Sequence, residues 1–143
     1  KMVEIIRNVR GMRDLLDKES RKKFSIEAEA RQLALKYGYQ EINTPIVEYS
    51  SVFNKSLGQF SDIVTKEMYN FKDEKGRSLT LRPEATAGIA RAIASNGLLG
   101  SEEYRTPLKF FLFGPMFRYE RPQKGRYRQF YQINFESFGI LWC

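Results

Sequence analysis

The stretch "FRYERPQKGRYRQF", residues 117–130, restricts the fold more than any other part of the chain. It gathers Arg118, Arg121, Lys124, Arg126 and Arg128 around one carboxylate, Glu120, between Phe117 and Phe130. Like charges packed this closely repel one another and resist leaving water, so the run is a poor core element. It belongs at a surface, where it is suited to meet an anion, and the rest of the chain has to supply the core.

The residues on either side read as strands, in which successive side chains point to opposite faces. Over 130–138 one face carries Phe130, Gln132, Asn134, Glu136 and Phe138, and the other Tyr131, Ile133, Phe135 and Ser137. The second set is expected to be the core face. Before the run, Arg118 and Glu120 share one face and Phe117 and Tyr119 the other. If the two strands pair through a loop at 121–127, Arg118, Glu120, Phe130, Gln132 and Glu136 converge on one side of the sheet. A planar guanidinium donates two parallel hydrogen bonds to phosphate, an aromatic plate stacks on a base, and carboxylates take an amino group. The plainer alternative stays open: a charge run in a hairpin is commonly a solvated loop, and a polar strand face is commonly the wet side of a sheet. The in-phase spacing of Arg-x-Glu before the loop and Phe-x-Gln-x-Asn-x-Glu after it favours a nucleotide or phosphate site. No P-loop or Rossmann glycine pattern accompanies it.

The remaining chain predicts helices laid on a largely antiparallel sheet, an α+β fold. Residues 17–37 predict a helix stopped by Gly38, with Ile26, Ala30, Leu33 and Tyr37 on its apolar face. "YGYQEINTPIVEY" is extended, with Gln40, Ile42, Thr44 and Ile46 on one face and Pro45 forcing an edge or a break. A short helix is expected over Ser50–Leu57. "KEMYNFKDEKGRSLTLRP" predicts a hairpin turning at Asp73-Glu74-Lys75-Gly76. "PEATAGIARAIASNG" predicts a helix that opens after Pro83 and ends at Gly97.

Composition narrows the chemistry. A net charge of +7 favours polyanionic partners. There is no histidine, which removes imidazole acid–base catalysis, His-activated nucleophiles and His metal sites. The one cysteine, Cys143, leaves no internal disulfide or thiolate cage, in keeping with a reducing, cytoplasmic setting. No apolar run approaches the roughly 20 residues of a membrane span. Residue 1 is Lys with Met2 behind it, and the chain stops in the apolar "FGILWC", so a piece of a longer protein is expected.

With these residues in view, "FRYERPQKGRYRQF" closely resembles motif 2 of class II aminoacyl-tRNA synthetases, in the form typical of the histidyl-tRNA synthetase family. "RGMRD" (10–14) resembles that family's N-terminal signature, "YGYQEINTPIVE" (37–48) its motif 1, and "TLRPEATAGIARA" (80–92) its amino-acid-binding segment. The chain departs from the family at Ala85, where Gly is usual, and at Tyr119 and Tyr131, where His is frequent.

The resemblance implies the N-terminal part of a class II catalytic domain over residues 1–143, with motif 1 at about 37–48, motif 2 at about 115–139, and motif 3 and the anticodon-binding domain absent. It implies an aminoacyl-tRNA ligase that joins histidine to ATP, accompanied by Mg2+, and transfers histidine to tRNA(His), working as a cytoplasmic homodimer. By position in the motifs, Arg118 contacts the α-phosphate and is the catalytic residue. Glu120 faces the adenine, Arg126 reaches the outer phosphates, and Phe130 stacks on the adenine. Glu84, Thr86, Gln132 and Glu136 hold the amino acid, and Arg121 and Lys124, on the loop, approach the tRNA. Two other readings compete: a synthetase-like paralogue regulating histidine biosynthesis, and a basic RNA-binding module. Glu84 has a simpler reading as a first-turn carboxylate on a helix dipole, and Arg10 and Arg13 as surface charges.

Overall fold

The computed structural model describes residues 3–57 and 67–139; the apolar 140–143 end lies outside the described residues. The elements run α1 (Asp17–Lys36), β1 (Gln40–Glu41), β2 (Val47–Tyr49), α2 (Ser50–Leu57), β3 (Tyr69–Lys72), β4 (Ser78–Leu81), α3 (Thr86–Ser95), β5 (Leu108–Phe117) and β6 (Gln129–Phe138). The architecture is α+β, as expected, but the strands divide between two sheets. One has the order β1-β5-β6 and the other β2-β4-β3. All pairings are antiparallel except β1 with β5.

The break falls at Pro45, which has no N–H to give a ladder. Upstream, Gln40 and Glu41 pair with Phe110 and Phe111; downstream, Val47, Glu48 and Tyr49 pair with Leu81, Thr80 and Leu79. The 40–46 segment is therefore a crossover between sheets and not one strand. In the β3–β4 turn, an Asp73 carboxylate oxygen accepts from the Lys75 and Arg77 amides at 3.0 and 2.9 Å, a local side-chain closure typical of Asp in turns.

The two helices α1 and α3 lie on opposite faces of the first sheet. Ala85, Ile89 and Ile93 pack on Leu108, Phe110, Leu112 and Met116, with Phe130 and Phe138 at the margin. On the reverse face, Ala30 and Ala34 pack on Phe111, flanked by Tyr39 and Phe113. A third cluster joins Phe53 of α2 to Met68 and Ala87.

Two expectations are corrected here. The α1 helix is where the sequence puts it, but its buried face runs through Ala30 and Ala34, while Ile26, Leu33 and Tyr37 are exposed. Small residues let the helix axis approach the sheet, and the bulkier side chains are turned away. Along β6, Tyr131, Ile133 and Phe135 are the exposed set, at 38–42%, and Phe130, Gln132, Asn134, Glu136 and Phe138 are the more enclosed set. The cause is helix placement. The face bearing Phe130 to Phe138 is the one α3 covers, whereas on the other face α1 leaves a groove of about 400 Å³ lined by Lys23, Phe113 and Tyr131 among others. Lys23 there sits 4.5 Å from the Tyr131 ring centroid and 5.1 Å from that of Phe113.

Candidate nucleotide and amino-acid site

The β5–β6 hairpin supplies the floor. Its register sets Met116 opposite Phe130, Gly114 opposite Gln132, Leu112 opposite Asn134 and Phe110 opposite Glu136. Cross-strand partners share a face, so these polar β6 side chains emerge beside the apolar patch that α3 covers. Gln132 Oε1 and Asn134 Oδ1 are buried without a hydrogen-bond partner. Such acceptors are costly to leave unmet, and both suit an incoming N–H donor. Thr86 donates its hydroxyl to Glu136 at 2.5 Å, tying the start of α3 to β6.

Arg118, the first residue past β5, is fixed on two sides. Its Nε donates to the Pro83 carbonyl at 3.0 Å, and its guanidinium carbon stands 5.2 Å from the centroid of the Phe130 ring. The terminal nitrogens meet no protein partner among the described residues and remain available for an anion. Glu84 follows Pro83, and its carboxylate accepts from the Ala87 amide at 3.0 and 3.2 Å. It therefore holds a helix terminus, one residue from Ala85 and two from Thr86.

The basic run forms the tip of the hairpin, and its charges have different surroundings. The Arg118 amide bonds the Arg128 carbonyl at 2.8 Å, and Gln123 and Arg126 bridge each other at the end. Arg121, Lys124 and Arg126 are exposed and make no ion pair among the described residues. Arg128 turns inward, its Nε donating to the Glu120 carbonyl at 3.0 Å. Glu120 is half-buried but forms no ion pair among the described residues. The structure thus brings together Arg118, Phe130, Gln132 and Glu136 with Thr86, and does not place the Glu120 carboxylate in contact with them.

Sequence reasoning missed three parts of this assembly. Arg82, only 5% exposed, donates from Nε to the Pro115 carbonyl at 2.9 Å and from Nη1 to the Thr44 carbonyl at 3.1 Å. Burial lowers its pKa, and the nearby Glu48 carboxylate acts against that shift. Gly114 leaves the space that Arg82 occupies; a Cβ there would lie 2.4 Å from Nη2. Gly11, at φ +81°, accepts from the Arg128 amide at 2.7 Å and packs so closely on the Arg128 side chain that a Cβ would meet its Cγ at 2.7 Å. The lone glycine in "FLFGPMF" is the one sequence signal that could have pointed to a buried neighbour.

The chain is similar to known proteins over most of its length. A family model described as histidyl-tRNA synthetase matches residues 11–140. The chain is 54% identical over 132 residues to a histidine–tRNA ligase of Wolbachia pipientis, covering 92% of this chain and 31% of that protein. It is 48% identical over 138 residues to the histidine–tRNA ligase of Rickettsia felis, covering 96% and 32%. The crystal structure of apo histidyl-tRNA synthetase from S. aureus superposes with a TM-score of 0.78 at 37% identity, over 95% of this chain and 30% of that one. The chain spans about a third of the length of the curated relatives it matches. The match of the family model over residues 11–140, with identities of 48% and 54% to histidine–tRNA ligases over more than nine-tenths of the chain, shows that the chain belongs to the histidyl-tRNA synthetase family.

Proposed function

We propose that residues 1–143 are the N-terminal part of the catalytic domain of a histidine–tRNA ligase, with motif 1 at about 37–48, motif 2 at about 115–139, and the motif 3 arginine and the anticodon-binding domain outside this span. The observation that carries this reading is Arg118, held between the Pro83 carbonyl and the Phe130 ring with its terminal nitrogens open.

In the reaction, an oxygen of the histidine carboxylate attacks the α-phosphorus of ATP. The bond to the bridging oxygen breaks, and pyrophosphate leaves with that electron pair. Arg118 stabilises the charge that grows on the α-phosphoryl oxygens, and a fixed donor does this without reorganising. Phe130 stacks on the adenine, Glu120 faces its edge, and Arg126 reaches the outer phosphates. The orphan acceptor of Gln132, with Glu136, Thr86 and Glu84, takes the histidine ammonium. Magnesium would accompany the nucleotide and share with Arg118 and Arg126 the neutralising of its phosphate charge. Arg121 and Lys124 meet the tRNA acceptor end, where histidine is transferred. Homodimerisation runs through residues 39–48 and covers apolar side chains exposed there, Ile46 and Val47 among them. The setting proposed for the enzyme is the cytoplasm, with which a chain holding a single cysteine is in keeping.

The test is histidine-dependent ATP–pyrophosphate exchange by the full-length ligase that contains residues 1–143. Arg118→Ala should abolish exchange while circular dichroism stays native. Exchange at the unsubstituted rate in that variant overturns the assignment. Salt-sensitive tRNA binding with no exchange in the unsubstituted protein favours an RNA-binding module instead.

A further inference from the structure

We infer that Arg82 is a positioning residue that keeps the nucleotide and amino-acid halves of the site in register, without touching either substrate. The inference rests on the ligase reading above.

Arg82 is bonded through both its main chain and its side chain. Its amide donates to the Ile46 carbonyl and its carbonyl accepts from the Phe117 amide, each at 2.9 Å. Its guanidinium reaches the Pro115 and Thr44 carbonyls. One residue therefore joins the crossover, the end of β4 and the end of β5. The next carbonyl along the chain, that of Pro83, is the one that receives Arg118 Nε. The next side chain, Glu84, holds the first turn of α3, which in turn sets Thr86 on Glu136. Any displacement of residues 82–84 moves both halves together.

The chemistry of the contact fits alignment better than stability. A buried guanidinium bonded to neutral carbonyls, with no ion pair among the described residues and only a partly offsetting attraction to the nearby Glu48, carries a desolvation cost that an apolar side chain of the same volume would avoid. What a planar fork supplies is direction, because two fixed donors define how two carbonyls lie relative to each other. Gly114 gives an independent way to disturb it. A methyl group there meets Nη2 and pushes the guanidinium aside, yet Gly114 makes no contact with Arg118 in the hydrogen-bond pattern.

The experiment uses the full-length ligase carrying Arg82→Met, Arg82→Lys or Gly114→Ala, read by pyrophosphate exchange at a temperature where each variant is folded by circular dichroism. Arg82→Met should lower kcat/KM for ATP about a hundredfold, the loss expected for a misplacement of about 1 Å. Gly114→Ala should lower it about tenfold, being a partial displacement, and Arg82→Lys, which can still satisfy one carbonyl, should recover part of the loss. ATP dissociation constants from calorimetry then close a cycle with Arg118→Lys, which lacks the bond to Pro83. Adding Arg82→Met to that variant should weaken ATP by less than about twofold, since coupled neighbours are non-additive. Full additivity, or lower thermal stability with kcat and KM unchanged, overturns the inference. Absence of exchange in the unsubstituted protein overturns the ligase reading and removes this inference with it.

Discussion

Arg128 lies against the face of Tyr119, its guanidinium carbon 3.9 Å from the ring centroid, while its Nε donates to the carbonyl of the adjacent Glu120. Tyr119 in turn packs edge-on against Tyr69 at 5.4 Å, and its amide bonds the Glu67 carbonyl at 2.7 Å. One cation of the basic run thus belongs to the scaffold that joins the loop to the second sheet. Arg128→Met should destabilise the protein by about 1–3 kcal/mol, through loss of a charge-assisted bond and a cation–π contact. Arg121→Ala, on the exposed tip, should change stability by less than about 0.5 kcal/mol. Urea denaturation of the two variants side by side checks the contrast.

Gly11 should tolerate no side chain. Its positive φ disfavours any L-residue, and a Cβ would press on the Arg128 stem. Gly11→Ala is expected to cost about 1–3 kcal/mol and to raise the KM for ATP, because the Arg128 carbonyl holds the Arg118 amide. A variant with unchanged melting temperature and unchanged KM would show that the N-terminal segment does not brace the loop.

Glu48 is buried, and both its oxygens accept from Arg91 Nε at 3.1 Å, with Nη2 at 2.7 Å. Removing one member of a buried pair leaves the other charge uncompensated, at about 3–5 kcal/mol. Because Arg91 is a third exposed, water can reach it, and Glu48→Gln should fall at the lower end, about 3 kcal/mol. Arg91→Met strands the buried carboxylate and should cost at least as much. Equal stability of all three proteins in denaturant titration would refute this.

The bidentate pair of Arg31 with Glu41, at 2.9 and 2.8 Å, predicts a pH dependence. The hydrogen bonds from Arg31 are the main cause that lowers the Glu41 pKa. A folded-state pKa below the unfolded value of about 4.3 means stabilisation is present above that pH and is lost as pH falls through the lowered value. The stability advantage of the unsubstituted protein over Glu41→Gln should therefore be present at neutral pH and vanish in strong acid. The pair is partly exposed, so the advantage is small and weakened by salt. An advantage that grows on acidification would contradict the assignment.

What the sequence disclosed was mostly local. The Ser50–Leu57 helix, the β3–β4 turn and the pairing of two strands around the basic loop all follow from periodicity and turn chemistry, which act between residues near in sequence. Alternation along 130–138 separated two sets of side chains correctly. It could not say which set lies under a helix, because that depends on where α3 comes to rest. The helical face of α1 was misjudged for the same reason: Ala30 and Ala34 are weakly apolar in sequence, yet they are what close approach to Phe111 requires. Phe130, Gln132 and Glu136 were legible as neighbours because strand phase alone puts them on one face; Thr86, expected only from the resemblance, joins them through its bond to Glu136. Arg82 was not legible, since an arginine beside a proline looks like a surface charge until Gly114, thirty-two positions later, is seen to make room for it.

The ten-residue ladder of β5 and β6 ends at the bond between Arg118 and Arg128. Pairing stiffens a ribbon only as far as it extends, so deformation of this hairpin is concentrated in the few residues beyond that bond. Arg118 stands at that boundary and Phe130 just within it, while Arg121, Lys124 and Arg126 lie beyond it, where the bridge of Gln123 with Arg126 closes the tip. In the proposed ligase this divides an anvil from a flap: the paired strands keep the surface for the nucleotide in shape, and the unpaired stretch is left to meet partners of other shapes.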